Sequence, residues 1–467
     1  MNLSKDYQSI RNDLDNGLIT TKQIVEKHLS IISELNPSIN AFLEVFEQEA
    51  LQKAEIVDAK IKEGKAGKLA GLVIGIKDIL CYKDHPSYAG SKILNSFKST
   101  FTATAVQRLL EQDAIIIGRQ NCDEFGMGST NENSAYGITL NPLNQKFVPG
   151  GSSGGSAAAI AAGMCQVSLG TDTGGSIRMP SAFCGTYGLK PSYGAVSRWG
   201  LIAYASSFDT IGPIANHLSD IELVFEIMKG EDAYDSTCKY GKSEFKGNKK
   251  IAYFKGIAAH DSLQPEIKKS FEQSIEYFKS LGYEVEGIDF PYLDQLLPTY
   301  YVLTTAEASS NLARFDGVKY GFRKSENDLM DQYKNTRYEG FGKEVKRRIL
   351  LGTFVLSASY YDAYYTKAQK VRNLIKTFTE NLLKDYDFII SPTTSTTAYP
   401  IGEKSLDPIQ MYLGDLFTVQ ANVTGLPAIS LPCGLDNNSM PMGLQIMGNM
   451  FAEKEITQLA KNIAQKF

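Results

Sequence analysis

The sequence predicts an α/β fold in which helices cover both faces of a β-sheet. Short β-branched runs flanked by glycine, at 71–78 and 114–118, are typical of buried strands. Segments with apolar residues at helical spacing, at 104–112 and 264–282, alternate with these runs. Such alternation is the pattern from which α/β sheets are built.

The N-terminal region, residues 1–65, is predicted to be helical. Thr20 and Thr21 provide a cap before apolar residues at helical spacing, and the same period continues from 41 to 62. The first predicted strand, at 71–78, follows this region.

The second half of the chain returns to alternating strands and helices. Strands are predicted at 249–253, 283–285 and 387–392, whereas the stretch 299–380 is mostly helical and rich in Tyr, Lys and Arg. No internal repeat or flexible linker interrupts the pattern. We therefore predict a single domain, 1–467, with a helical insertion at 299–380.

Composition and charge permit a large globular core and argue against a nucleic-acid-binding surface. The 467 residues are 43% hydrophobic, which permits a large core, and the formal net charge is −4. This charge argues against a broad nucleic-acid-binding surface, because such a surface requires clustered cationic side chains. We expect any nucleic acid to be held by a partner protein.

The cysteines and the apolar runs indicate the compartment. The six cysteines form no CxxC pair and have no histidine at metal spacing, so we expect no disulfide framework and no metal site. A reducing compartment fits them. The first ten residues lack an apolar signal core, and no apolar run reaches the roughly 18 to 20 residues of a membrane helix. We therefore expect a soluble cytoplasmic protein without a membrane partner. The cysteines are Cys81, Cys122, Cys165, Cys184, Cys238 and Cys433.

A segment rich in Gly, Ser and Ala, at 149–188, differs from the rest of the chain. Two Gly/Ser loops, at 149–156 and 168–178, flank an Ala-rich helix at 157–163. A flexible turn is the ordinary alternative, but these loops lead directly into an apolar helix and a buried strand. A phosphate-binding loop has little support, since neither GxxxxGK[ST] nor GxGxxG occurs.

The second Gly/Ser loop suits a nucleophile. Small residues before Ser176 leave backbone N–H groups free to face a developing oxyanion. The hydroxyl still requires a base. None of the four histidines lies in a Gly/Ser motif, so a Ser-His-Asp triad is poorly supported. Lys77 is the alternative if burial lowers its pKa, although a lysine at a strand end is more often a solvated flank. The histidines are His28, His85, His217 and His260.

Three of these motifs together resemble the amidase signature family. They are Gly150–Ser156, Gly170–Arg178 and the lysine motif Gly75–Asp78, in that family's order and spacing. The resemblance spans nearly the whole chain. It implies an amidase signature fold with a large mixed central sheet, and hydrolysis of a carboxamide through a serine ester.

The resemblance also implies roles for particular residues. Ser176 is the expected nucleophile, Ser152 follows a cis peptide bond and relays the proton, and Lys77 is the base. The expected oxyanion hole consists of four backbone N–H groups, those of Thr173, Gly174, Gly175 and Ser176.

Later segments resemble one branch of the family, the A subunits of glutamyl-tRNA(Gln) amidotransferases. These segments are 306–317, 339–348, 360–365 and 411–418. The branch implies a glutaminase that converts glutamine to glutamate and ammonia and passes the ammonia to a B subunit. The B subunit is expected to hold tRNA, ATP and Mg²⁺ and to amidate Glu-tRNA(Gln) or Asp-tRNA(Asn). A C subunit completes the expected heterotrimer, and this chain itself is expected to carry no cofactor.

The same branch implies three residues that bind glutamine. Arg348 is expected to bind the α-carboxylate, because a guanidinium binds a carboxylate with two hydrogen bonds. Asp415 is expected to bind the α-ammonium group. Tyr300 is expected to line the pocket, with Tyr301 as the alternative at this position.

Two other functions remain open from the sequence. A stand-alone amidase of the same family would act on small amides without tRNA. A catalytically silent scaffold would need no catalytic group, and the intact Lys77, Ser152 and Ser176 argue against it.

Overall fold

In a computed structural model that describes residues 5–403 and 408–466, the chain folds around a large β-sheet. The described part contributes 11 strands to this sheet. In chain order they are β1 (Phe42–Val45), β2 (Val73–Lys77), β3 (Ile115–Gln120), β4 (Val167–Asp172), β5 (Tyr187–Lys190), β6 (Thr210–Ala215), β7 (Lys250–Phe254), β8 (Glu284–Ile288), β9 (Phe388–Pro392), β10 (Ala428–Leu435) and β11 (Pro441–Gly448).

The sheet is mixed. Its strand order is β1-β3-β2-β4-β6-β5-β10-β11-β9-β7-β8. β3, β2 and β4 run parallel, as do β9, β7 and β8. The strands between these two groups, and the edge strand β1, pair antiparallel. The mixed sheet confirms the expected fold class.

Helices occupy most of the connections between strands. They are α1 (Tyr7–Asp15), α2 (Thr21–Ile39), α3 (Glu47–Lys62), α4 (Thr104–Glu111), α5 (Gly154–Ala161), α6 (Arg178–Cys184), α7 (Leu218–Met228), α8 (Lys255–Ala258), α9 (Pro265–Ser280), α10 (Leu293–Asn311), α11 (Leu329–Gly340), α12 (Lys343–Val355), α13 (Lys367–Leu382), α14 (Pro408–Leu413), α15 (Val419–Thr424) and α16 (Glu453–Ala464). A π-helical turn, Asp362–Thr366, precedes α13.

Side chains alternate between two apolar layers along the strands. In β2, Ile74 and Ile76 join a core cluster with residues of α4, α7, α9 and α16. Val73 points to the other face and joins a cluster with residues of α2, α3 and α5. This alternation is the period of two expected of a strand, and it confirms that helices cover both faces.

All five strands predicted from the sequence are present, as β2, β3, β7, β8 and β9, but the prediction of helix at 41–62 is wrong at its start. α2 ends at Ile39, and Asn40 takes a left-handed conformation with φ of 56°. The Asn36 side chain then bonds both backbone groups of Phe42, and β1 pairs with β3. Pairing with a strand about 75 residues away in the printed sequence overrides the local helical pattern.

The predicted helical insertion at 299–380 is built from most of α10, all of α11 and α12, the π-helical turn and most of α13. α10 and α12 approach closely, because a Cβ at Gly352 would overlap the Thr305 carbonyl oxygen. The single-domain organisation stays a prediction, and residues 1–4 of the predicted N-terminal region lie outside the described residues. Within 5–403 and 408–466, no helix is both long and apolar enough to cross a membrane.

We expect a truncation in the central sheet to destabilise the protein far more than the same change at the surface. Leu169 on β4 is fully buried, whereas Leu18 is 71% exposed. Leu169→Ala should lower the free energy of unfolding by about 2–5 kcal/mol, and Leu18→Ala by less than about 0.5 kcal/mol. Urea denaturation followed by circular dichroism measures both, and equal losses would contradict the assigned core.

Candidate active site

Lys77 lies at the carboxyl end of β2 and is fully buried. Because β2 runs parallel to β4, the carboxyl ends of the two strands lie next to each other. The Lys77 Nζ lies 2.7 Å from Ser152 Oγ, 2.9 Å from Ser153 Oγ and 2.9 Å from Thr171 Oγ1. Its neighbours are therefore three neutral hydroxyls.

The surroundings of Lys77 shift its equilibrium towards the neutral amine. Burial lowers the pKa of Lys77 to about 8, although the negative charges of Asp123, Asp172 and Asp209 oppose this shift. None of these carboxylates hydrogen-bonds the amine within the described residues. The amine thus has hydroxyl partners and, within the described residues, no ion pair.

Ser152 is held in a loop of tightly packed backbone. The Gly151–Ser152 peptide bond is cis, as the sequence resemblance implies, and Ser152 is 1% exposed. The Asp123 carboxylate lies beside this loop and accepts the backbone N–H groups of Asn131 and Asn133 at 2.9 and 3.1 Å. A Cβ at Gly151 would overlap that carboxylate, so the loop requires glycine here.

Ser176 lies on the turn between β4 and α6 and is 8% exposed. Its backbone carbonyl accepts the Ser153 N–H at 3.1 Å, which joins the turn to the Ser152 loop. Its hydroxyl makes no hydrogen bond to any described residue. The structure therefore brings Lys77, Ser152 and the Ser176 turn together and leaves the last hydroxyl open to a substrate.

The four N–H groups expected to form an oxyanion hole are not equivalent. Gly175 donates to Asp172 Oδ1 at 2.9 Å, so its N–H is already occupied. The N–H groups of Thr173, Gly174 and Ser176 donate to no acceptor within the described part of the chain. Three of the four predicted donors are thus open to a ligand.

A buried ion pair holds the Ser176 turn in place. The Asp172 carboxylate accepts Arg178 Nη2 at 2.9 Å and Nε at 3.0 Å, and also the backbone N–H of Ile177. Burial opposes ionisation, but the Arg178 guanidinium lowers the pKa of Asp172 to about 2. The carboxylate is therefore charged, and it fixes the backbone on both sides of Ser176.

Arg348 lies on α12 and is buried among aromatic rings. Its Nε donates to Glu344 Oε1 at 2.9 Å and its Nη1 donates to the Tyr204 hydroxyl at 2.7 Å. The guanidinium also lies over the rings of Tyr301 and Tyr412, 5.5 Å from each centroid. Its Nη2 makes no hydrogen bond to a described residue, which leaves donors for a carboxylate.

Asp415 belongs to the same cluster. Its carboxylate accepts the Tyr301 hydroxyl at 2.5 Å and the Ser129 hydroxyl at 3.2 Å. Burial raises the pKa of Asp415 to about 6. Tyr301 links the two predicted substrate residues, because its ring contacts Arg348 and its hydroxyl bonds Asp415.

Tyr300 and Tyr301 both contact the site, in different ways. Tyr300 packs against the Ser176 turn, since a Cβ at Gly174 would overlap its hydroxyl. Its ring lies edge-on to that of Tyr301, with 4.9 Å between centroids. Tyr300 thus faces the Ser176 turn, whereas Tyr301 faces the cluster of Arg348 and Asp415.

The histidines take no part in this site. His28 lies in α2 with its Nδ1 3.1 Å from the Gly163 carbonyl oxygen, and burial lowers its pKa to about 4. His85 bonds Glu49 and His260 bonds Ser262. His217 lies near the charge of Asp220. No group of three or more His, Cys, Asp or Glu side chains within the described ranges is arranged to hold a metal ion.

Sequence reasoning missed several residues of the site. Ser153 and Thr171 contact the lysine, and Asp123 and Asp172 hold the two loops. Glu344 holds Arg348. Ser153 and Asp172 lie inside the Gly/Ser motifs, so their position was a signal; Asp123 and Glu344 carry no comparable signal in the sequence.

Comparison with known proteins agrees with this geometry. A family model described as Amidase matches residues 23–457. The chain belongs to the amidase family. This amidase is 47% identical over 464 residues to the A subunit of glutamyl-tRNA(Gln) amidotransferase from Prochlorococcus marinus, covering 97% of this chain and 96% of that protein. It is 49% identical over 453 residues to the protein of the same name from Agathobacter rectalis, covering 95% and 90%.

A solved structure resembles the amidase along most of its length. The crystal structure of the glutamyl-tRNA(Gln) amidotransferase A subunit from Thermotoga maritima superposes with a TM-score of 0.78 at 38% identity. The match covers 95% of this chain and 91% of that one. These findings confirm the family that the sequence motifs indicate.

We expect Asp172→Asn to destabilise the amidase strongly, because it leaves the Arg178 guanidinium buried without its charge partner. The expected loss in the free energy of unfolding is about 3–5 kcal/mol. Asp15→Asn removes a partner of Arg11 whose side chain is 50% exposed, and should cost less than about 1 kcal/mol. Urea denaturation compares the two variants. Similar losses would show that the ion pair does not hold the turn.

Proposed function

We propose that this amidase is the glutaminase subunit of a tRNA-dependent amidotransferase. The observation that carries the proposal is the buried Lys77 amine at 2.7 Å from Ser152 Oγ, in a loop that a backbone hydrogen bond joins to the Ser176 turn. The names of the relatives support Glu-tRNA(Gln) as the acceptor served by the complex. Glutamine as the substrate is what the resemblance of segments such as 339–348 implies.

In the proposed reaction, Ser176 Oγ attacks the side-chain carboxamide carbon of glutamine. Its proton passes to Ser152, whose own proton passes to the neutral Lys77 amine. The oxyanion of the tetrahedral intermediate accepts hydrogen bonds from the open N–H groups of the Ser176 turn. As the C–N bond breaks, Ser152 returns a proton to the leaving nitrogen and ammonia departs.

The second half of the reaction regenerates the serine. A water molecule loses its proton to the same relay and attacks the glutamyl ester on Ser176. The C–O bond to the serine breaks, the serine oxygen regains a proton, and glutamate leaves. Because the relay runs between hydroxyls and one amine, it needs no histidine.

The cluster of Arg348 and Asp415 suits the amino-acid end of glutamine. The free Nη2 of Arg348 is the donor for the α-carboxylate, and the Asp415 carboxylate is the acceptor for the α-ammonium group. Both side chains are buried, so their charges act with little screening by water. A plain amide offers neither group, and the cluster therefore favours an amino-acid amide.

Ammonia release implies a partner that uses the ammonia. Each of the two relatives is named as the A component of its amidotransferase, and we assign the amidation step to a B subunit that binds ATP, Mg²⁺ and the charged tRNA. The net charge of −4 fits tRNA being held by that partner. A C subunit completes the proposed heterotrimer.

The six cysteines are buried and unpaired, which supports a cytoplasmic location.

The decisive test is ammonia release from glutamine with and without the B and C subunits and Glu-tRNA(Gln). We expect tRNA-dependent glutamine hydrolysis, and Ser176→Ala or Lys77→Ala should reduce it at least about a thousandfold while the protein remains folded. Ser262→Ala, at an exposed serine, is the matched control and should retain activity. Ammonia release by Ser176→Ala would refute the mechanism. Rapid tRNA-independent hydrolysis of unrelated amides would favour the stand-alone amidase.

The pH dependence of the reaction should report the lysine. Only the neutral amine accepts a proton, so kcat/KM should rise about tenfold per pH unit below the Lys77 pKa and level off above it. With that pKa at about 8, the rise should extend through pH 6–8. His260→Gln should leave the profile unchanged. A flat profile over this range, or one altered by removing a histidine, would contradict a lysine base.

A further inference from the structure

Glu124 lies outside both groups of residues assigned above, yet it touches the helix that carries Arg348. It follows Asp123, begins a short 3₁₀ turn and is 3% exposed. Its carboxylate accepts the backbone N–H of Gly342 through Oε2 at 2.8 Å and Oε1 at 3.1 Å. The Ser91 hydroxyl donates to Oε1 as well.

This contact caps α12 from outside the helix. Gly342 is the N-cap residue of α12 and has no side chain to satisfy the first N–H groups of the helix. The Glu124 carboxylate, from a distant part of the chain, accepts the N–H of Gly342 itself, which is the group that the third helical residue binds in a capping box. Its negative charge also suits the positive end of the helix dipole. A Cβ at Gly342 would overlap Glu124 Oε2, so the contact requires glycine.

Two further contacts hold the junction between α11 and α12, through Gly340 and Phe341. A Cβ at Gly340 would overlap the Ile93 side chain, and the Phe341 ring lies 5.8 Å from that of Phe125. Glu124 and Phe125 therefore fix the start of α12 from the segment that also carries Asp123.

α12 carries both the arginine and the carboxylate that orients it. Glu344 Oε1 accepts Arg348 Nε and the Tyr412 hydroxyl, each at 2.9 Å. Arg348 lies six residues after Gly342 in the printed sequence, less than two helical turns away. A shift of the helix start would thus move the guanidinium relative to Asp415, which is held by Ser129 and Tyr301, two residues outside α12.

We propose that Glu124 is a positioning residue that sets the affinity for the amino-acid end of the substrate by capping α12. This inference rests on the proposed glutaminase function. Through Asp123 and Glu124, one dipeptide would hold the Ser152 loop on one side and the substrate-binding helix on the other.

The surroundings of Glu124 make the idea testable without unfolding the protein. A polar cavity of about 390 Å³ adjoins the contact and is lined by Glu124, Gly342 and Lys346, among others. Water entering from this cavity can satisfy the Gly342 N–H in a Glu124→Ala variant. We therefore expect the position of α12 to change rather than the fold.

The experiment measures kcat and KM for glutamine in the assembled complex with charged tRNA. Glu124→Ala and Gly342→Ala should raise KM about tenfold, because a displaced Arg348 guanidinium would bind the α-carboxylate less tightly. Both variants should keep kcat within about twofold of the wild type, because the amino-acid end is held equally in the ground state and in the transition state. Glu124→Gln should raise KM less, since its amide oxygen still accepts the Gly342 N–H.

Glu339→Gln is the matched control. Glu339 lines the same cavity but its side chain is 44% exposed and pairs with Lys324, so KM should not change. Calorimetry of glutamine binding to complexes that also carry Ser176→Ala measures the same loss of affinity without turnover. If the Glu124→Ala variant does not assemble with its partners, the KM and the affinity of Gly342→Ala test the inference instead.

The outcomes separate the inference from the proposed function. If the wild-type complex hydrolyses glutamine but the Glu124 and Gly342 variants match Glu339→Gln in KM and in affinity, the inference alone is wrong. A fall in kcat at constant KM also overturns it, because it would place Glu124 in the chemical step. If the wild-type complex does not hydrolyse glutamine, the proposed function fails and the inference falls with it.

Discussion

The burial of one lysine among neutral hydroxyls is the constraint on which the site depends. Removing Lys77 from water penalises its charged form, and no hydrogen-bonded carboxylate within the described residues restores that charge. A carboxylate in direct contact would stabilise the ammonium form of the lysine, and that form has no lone pair with which to accept a proton. The nearby acids are therefore occupied elsewhere: Asp172 pairs with Arg178 and Asp123 accepts backbone N–H groups.

The sheet explains how such a site can be built. Parallel β2 and β4 end at the same edge, which places Lys77 next to the loops that carry the serines. Those loops approach closely because glycines and alanines leave no bulk between them. At Gly155, for example, a Cβ would overlap the Asn121 carbonyl oxygen. The small-residue helix α5 and the glycine turns are thus requirements of packing as well as of chemistry.

The proposed catalytic group and two of the proposed substrate-binding residues come from different parts of the architecture. Lys77 and the two serines belong to the central sheet and its adjoining loops, whereas Arg348 and Tyr301 belong to α12 and α10 of the helical insertion. Asp415, the third proposed substrate residue, lies outside that insertion, between α14 and α15. This division makes the contacts between the two parts important, and Tyr300 against Gly174 and Glu124 against Gly342 are two of them.

The sequence by itself determined the α/β class, the buried strands β2, β3 and β9, and the motifs that indicate the family. The hydrophobicity of a segment and the spacing of its apolar residues are local properties of the sequence, so a run such as 72–76 indicates a buried strand directly. Only the tertiary structure decided that 42–45 forms an edge strand, that Gly175 donates to Asp172, and that Thr171 contacts Lys77. The last pair is 94 positions apart. Contacts of this kind depend on which strands become neighbours, and hydrophobic periodicity carries no information about that order.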